Sequence, residues 1–561
     1  MLETGNDYKM VKQETDEELD SSQGSPTGTP LRRRSWDSAV QAAQAVHLSP
    51  RRKLPAVVGF ALGALLVGAS WLGSSSPSSP FSSLYTCPSP LSPRSDALIP
   101  PRHQSEPLTL PSAHPDFSVS LTYDTTVCNS FDVLISRLDK GRCAEAETGP
   151  APTNNSAYLD WIHTRLGPDS FDLQVDGAER LVEDVPTEYL GNCDYVFRFR
   201  LQNAGRVWLN ASILYEDYAG VRERVVKRGA WPKDLPLLQL PLTPAPVELD
   251  ICSPTCRSYL PTPPEGRKEP ILPPSSPAAV YAEQRAALPT CGEAARAGTF
   301  DGAYLPASPA SLLHPHYRET LAESHTRFVG GYSTFVPLGC EWRHAGRRFS
   351  SHESCIEKEH KLMMIGDSHS RVLWDVVSNR LSGSKERILH SLKLEAKDAQ
   401  HGGLSMKFTF DPYLKSNWTC DGLGSYDTVA VSTGTWQTAF DCAPADDFFP
   451  QFEDMFSTWP RLAQQCGRPT PTKLIFLDIP AFPPQHKSPD CRTLPRVRYF
   501  NDRLNAMARE NGWEVVDVYK LAKPVAVDMT LTDGIHYTHT DATDAAADEL
   551  IDRLEICADS A

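Results

Sequence analysis

The chain has 561 residues, 40% of them hydrophobic, which is enough to bury at least one sizeable core. Its formal net charge of -15 excludes a nucleic-acid surface, which needs a basic face, and its 48 prolines are too many for one compact domain. The 14 cysteines begin only at Cys87, a split that fits a reducing compartment for the N-terminal stretch and an oxidising one for the remainder. There is no CxxC pair. Cys252 and Cys256 read as a disulfide or as half-cystines bridged to other partners, and no metal site is expected.

Residues 1–53 are polar and charged without an apolar period, and read as a disordered cytosolic tail. Eight acids and eight bases balance there, so the whole acidic excess falls further on. Residues 54–72, LPAVVGFALGALLVGASWL, carry no charge and approach the length a helix needs to cross the hydrocarbon core. Arg51, Arg52 and Lys53 abut this segment, and no such cluster follows it. The positive-inside rule then predicts a signal-anchor helix with a cytosolic N-terminus, that is, a single-pass type II protein of the Golgi or another secretory membrane. Residues 73–115, rich in Ser and Pro, read as an extended stalk. Sequons at Asn154, Asn210 and Asn417 predict a glycosylated lumenal body.

Over 116–250 the runs SVSLTY, FDLQV, YVFRFRL and RVWLNASILY alternate apolar and polar residues between turn signals, which predicts a β-sandwich. Residues 251–277 are proline-dense and read as a linker. Over 278–561 the pattern changes. Apolar strands at Leu362–Ile365, Thr428–Val431, Leu474–Ile479 and Glu514–Val518 alternate with helical spacing, notably over Ser370–Leu381 and Arg496–Glu510. That order predicts an α/β domain with a parallel sheet covered on both faces, its reactive residues at the carboxyl ends of the strands.

Two short motifs carry chemistry. Ser368 stands in Gly366-Asp367-Ser368, directly after the first of these strands and before a helix whose free N–H groups suit an oxyanion. A serine needs a base, and Asp533-Gly534-Ile535-His536 offers one, the carboxylate three residues from the imidazole it would orient. The order Ser–Asp–His is that of α/β hydrolases, but their nucleophile elbow is absent, since position 370 is Ser. Alone, Gly-Asp-Ser is an ordinary turn, Asp533-Gly534 another, and His536 a surface histidine. Together, at opposite ends of one α/β domain, they point to catalysis.

GDSHSR (Gly366–Arg371) and DGIHY (Asp533–Tyr537) resemble the motifs of the SGNH/GDSL superfamily. More closely, they are similar to its PC-esterase branch: trichome birefringence-like and fungal capsule-associated O-acetyltransferases, and NXPE proteins. Gly339-Cys340-Glu341-Trp342 and Cys355 resemble that branch's lead-in, which implies a Cys340–Cys355 disulfide. The β-rich region is similar in placement to a filamin/Ig-like domain. The resemblance implies a three-layer α/β/α fold with Ser368 as nucleophile, His536 as base and Asp533 as its orienter. The Gly-x-Asn of many members is replaced by Gly434-Thr435-Trp436, so the usual oxyanion donor is missing. Arg371, three residues past the serine, either replaces that donor or pairs with a carboxylate. The second-block glycine is Gly402 or Gly403. Trp436 either stacks on a sugar or fills the core, and Tyr537 is a second aromatic candidate for stacking.

What the resemblance implies is O-acetyl transfer to hydroxyls of a polysaccharide or glycoprotein glycan. An acetyl esterase with the same triad and a non-catalytic glycan-binding or adhesion protein are the competing readings. No bound cofactor is implied. Acetyl-CoA or a derivative would be co-substrate, and because acetyl-CoA is made outside the lumen, an acyl-donor transporter would be a membrane partner.

Overall fold

The computed structural model describes residues 105–124, 129–141, 143, 145–150, 152, 154–203, 205–216, 238–251, 289–306, 333–340, 342, 356, 358–383, 396–416, 418–466, 468–483, 493–526, 535–537 and 540–556. The segment 54–72 expected to cross a membrane lies outside them. Among the described residues no helix is long and apolar enough to do so.

The first part is β-rich: β1 (Leu108–Leu110), β2 (Phe117–Tyr123), β3 (Ser130–Arg137), helix α1 (Asn155–Leu166), β4 (Ser170–Gly177), β5 (Leu181–Glu183), β6 (Glu188–Tyr189), β7 (Asp194–Arg200), β8 (Gly205–Tyr215), β9 (Leu240–Pro241) and β10 (Val247–Ile251). One antiparallel sheet runs β1-β2-β3-β7-β6. A second runs β10-β8-β4-β5, with β9 beside β8. Period-two alternation turns Phe117, Val119 and Leu121 of one sheet and Phe171, Leu173 and Val175 of the other into a common buried cluster. The Phe171 ring meets Phe117 and Tyr195 edge-on at 5.6 and 4.8 Å. β1, which pairs with β2, falls within the range read as stalk. Alternation could not reveal so short a strand.

The second part holds α2 (Cys291–Arg296), β11 (Asp301–Pro306), β12 (Ser333–Leu338), β13 (His360–Gly366), α3 (Ser368–Ser382), β14 (Lys397–His401), β15 (Leu404–Phe410), β16 (Thr428–Ser432), α4 (Ala445–Gln465), β17 (Lys473–Leu477), α5 (Leu494–Glu510), β18 (Glu514–Val516), α6 (Val518–Ala526) and α7 (Asp541–Leu554). A six-stranded sheet runs β14-β15-β13-β16-β17-β18, parallel except at β14. Three of its inner strands, β13, β16 and β17, carry unbroken apolar runs, as burial on both faces requires, whereas β15 alternates apolar and polar residues.

Chain order leaves β13 towards β15 but leaves β16 towards β17, so the connections diverge between β13 and β16. Right-handed crossovers then put α3 on one face and α4 with α5 on the other. On the α4 face, Phe452 and Phe456 pack on Phe476 of β17, and Phe448 meets Phe500 of α5 at 4.4 Å. On the α3 face, Val372 and Leu373 face Ala522 of α6 and Ala542 and Ala546 of α7. Arg380 of α3, 1% exposed, binds Asp544 at 3.2 Å and Asp548 at 3.0 Å, both on α7.

The two parts touch directly. Arg180 N–H donates to the Tyr304 carbonyl at 2.8 Å. The Tyr519 hydroxyl donates to Asp184, and Lys523 pairs with Asp184 and with Glu183. Burial alone would raise the Asp184 carboxyl, but Lys523 and Arg498 hold it below the usual range.

Disulfides join Cys143 to Cys193, Cys291 to Cys340 and Cys420 to Cys466. The expected Cys340–Cys355 bridge is therefore wrong. The start of α2 lies against the chain leaving β12, with 4.9 Å between the Cys291 and Cys340 α-carbons.

Candidate active site

Open α/β sheets bind ligands at the carboxyl ends of strands where the connections diverge. Here that is the gap between β13 and β16, and Ser368 stands at its mouth. Gly366 ends β13 with φ +150°, and a Cβ there would collide with the Ser432 carbonyl oxygen of β16. The close approach is fixed by hydrogen bonds. Asp367 N–H donates to the Ser432 carbonyl at 3.2 Å, and Asp411 N–H donates to the Gly366 carbonyl at 2.9 Å. The Ser370 hydroxyl also donates to Ser432 O, at 2.5 Å. Ser at position 370 thus ties the helix start to β16, which the glycine of a nucleophile elbow could not do.

Asp367 is the N-cap of α3, accepting from His369 N–H at 2.9 Å. Burial raises its carboxyl, while Thr435, the His369 and Ser370 N–H groups and His536 oppose that rise. Sequence reasoning passed over this residue, although its place before a helix with apolar spacing is a cap signal.

The Ser368 hydroxyl meets His536 Nε2 at 2.8 Å across 168 positions of sequence. His536 is buried. The Tyr537 hydroxyl donates to the Ala481 carbonyl, and the Thr540 and Thr543 hydroxyls donate to the Tyr537 carbonyl. Tyr537 is therefore an anchor for its neighbour and not an open face for a sugar. The His369 ring lies 4.9 Å from the His536 ring.

The other expected residues divide. Asp533 and Asn417 lie outside the described residues. Gly434 is at the same edge as Ser368, with φ +114° and Ile479 where a Cβ would stand. Gly402 and Gly403 are at the wrong end. They turn the chain between β14 and β15, and Leu404 pairs with His360, the first residue of β13. At ~3.3 Å per residue this is roughly 20 Å from the serine edge. A Cβ at Gly403 would collide with the Lys358 carbonyl, which accounts for that glycine. Arg371 is 1% exposed. Burial lowers its guanidinium's pKa, opposed by Asp375 and Asp367. Trp436 is half-buried and opens a π-helical turn, Trp436–Phe440. Asn154 is exposed at the start of α1, whereas Asn210 is half-buried within β8.

No family model and no curated protein matches this chain. Solved structures similar to it include a lipase/acylhydrolase from Enterococcus faecalis, 16% identical, covering 35% of this chain and 95% of its own, with a TM-score of 0.22. A catalytic mutant of an acetylxylan esterase from Geobacillus stearothermophilus is 13% identical, with 35% and 95% covered and a TM-score of 0.22. A carbohydrate acetylesterase from Sinorhizobium meliloti is 15% identical, with 35% and 97% covered and a TM-score of 0.24. At these scores the likeness carries no argument, and the chemistry rests on the geometry.

Proposed function

We propose that the chain is an SGNH-type O-acyltransferase, of the PC-esterase branch, that acetylates hydroxyls of a polysaccharide or glycoprotein glycan. The observation that carries this reading is the Ser368–His536 hydrogen bond of 2.8 Å at the carboxyl edge where the strand connections diverge. His536 Nε2 takes the Ser368 proton as the oxygen attacks the donor's acyl carbon, and returns it to the leaving group. Its use of Nε2 towards the serine leaves Nδ1 for an orienting carboxylate, the role we assign to Asp533. Backbone N–H groups at the start of α3 receive the oxyanion.

The uncharged run over 54–72 with its basic flank supports a membrane anchor and a lumenal catalytic body, and the disulfides accord with an oxidising lumen. The donor would then be acetyl-CoA or a derivative delivered across the membrane.

Transfer and hydrolysis share the acyl-serine, and an oriented hydroxyl can outcompete water because well-aligned reactants reach effective molarities of about 10⁵ M or more. The test supplies the full-length chain with an activated acetyl donor, with and without xylose, mannose and uronic acid oligosaccharides. Acetylated sugar should appear while free acetate falls. Acetate released at an unchanged rate with no acetylated sugar would replace this reading with an esterase.

A further inference from the structure

Three half-buried rings lie together at the serine edge of the sheet. Phe410 ends β15 and stands opposite Gly366 in the β13 register, two positions before Ser368. Tyr413 follows in the next loop, and Trp436 opens the turn after β16. Trp436 meets Phe410 and Tyr413 at 5.8 Å each, with interplanar angles of 72° and 87°. These rings are built into place. The buried Asp411 carboxylate accepts from the Lys415 and Ser416 N–H groups at 2.9 and 2.8 Å. The Thr433 hydroxyl donates to the Pro412 carbonyl at 2.6 Å. Core rings elsewhere in this domain, such as Phe448, Phe452 and Phe456, are at most 1% exposed. The exposed Lys415 ammonium stands 4.8 Å from the Tyr413 ring centre and covers one face of it.

We propose that Trp436, walled by Phe410 and Tyr413, is the acceptor subsite, taking the C–H face of a pyranose ring so that a hydroxyl at its rim reaches the acyl group on Ser368. This rests on the acyl-transfer reading above. A pyranose is apolar on its faces and polar around its rim, so a fixed aromatic surface binds it without occupying the hydroxyls. Adjacent strands are ~4.8 Å apart, which puts Phe410 one strand spacing from the residues that carry the nucleophile. In the transfer step the sugar oxygen bonds to the acyl carbon, and His536 accepts the hydroxyl proton. The acyl bond to Ser368 Oγ then breaks, and His536 gives the proton to that oxygen. The free serine is regenerated and no other reactant is needed.

The experiment measures binding without turnover, in the full-length chain carrying Ser368→Ala. Xylose, mannose and glucuronate oligosaccharides are titrated by calorimetry. At least one should bind, and adding Trp436→Ala should weaken it about tenfold, with Trp436→Phe restoring most of the affinity. Tyr413→Ala gives a second reading should the tryptophan variant fold poorly by circular dichroism. Trp208→Ala, an exposed tryptophan on β8, should leave the affinity unaltered. No binding by any oligosaccharide, or full affinity in folded Trp436→Ala and Tyr413→Ala chains, overturns the subsite. Failure of the acyl-transfer reading shows separately, as sugar held through Trp436 by a chain whose unaltered form yields no acetyl-serine by mass with an activated acetyl ester.

Discussion

At the scale of single residues, the site depends on one short hydrogen bond and on the groups that hold its two ends. Ser368→Ala and His536→Ala are each expected to lower kcat/KM by about 10⁴-fold or more, because members of such a set act as a unit. The melting temperature of Ser368→Ala should stay near the parent's, since the serine hydroxyl is half-exposed and contributes little to stability. Activity within tenfold of the parent in either variant would remove the catalytic role. Both residues were legible in the sequence, one as a small polar residue directly after an apolar strand and the other three places after an acid. Gly402 and Gly403 were misread because spacing does not say which edge of the sheet a turn occupies. Ser370's role was not legible because its hydroxyl works on the backbone of β16, a strand that begins more than fifty residues later, whereas Asp367 caps its own helix and left a local signal.

At the scale of elements, the helix that starts at the serine and the helix that follows the histidine are clamped together. Asp544 and Asp548 are spaced i, i+4 and so share the face of α7 that meets Arg380. Removing the arginine strands two buried carboxylates, which costs about 3–5 kcal/mol when one side of a buried pair is lost. Arg380→Met should therefore lower stability in urea by that amount, while joint replacement of all three by apolar residues should recover much of it. A loss under about 1 kcal/mol for the single variant would mean that the clamp is slack. Strand and helix periods showed where these elements lie. Their partners were not legible, since an ion pair between distant helices leaves no local pattern. The same limit applies to Cys340, whose bond to Cys291 is decided by where α2 docks.

At the scale of the whole molecule, the β-rich part and the α/β part share buried charge. Burial, and then Asp184, push the Asp172 carboxyl up to about 6 against the opposing effects of Gln174 and Lys523. The folded chain therefore holds this proton more tightly than the unfolded chain, whose ordinary value is 3.8. The stability so gained is full below the unfolded value and is lost as pH rises through about 6. Asp172→Asn keeps an uncharged group at every pH. It should flatten this slope and raise stability at pH 7 by at most roughly 3 kcal/mol. Urea midpoints of parent and variant from pH 4 to pH 8 check it, and two parallel profiles would refute it. Asp184 slopes the other way, but it is present in both chains and cancels in the difference.

The 168 positions between Ser368 and His536 also bear on how the protein is made. A ribosome delivers the serine first, and its hydroxyl then waits without its imidazole partner while the sheet is completed. Only after α7 has emerged can Arg380 pair with Asp544 and Asp548. A chain that ends before His536 therefore lacks the Ser368–His536 pair. On the acyl-transfer reading proposed above, such a chain would draw no acyl group from a donor until the domain is complete.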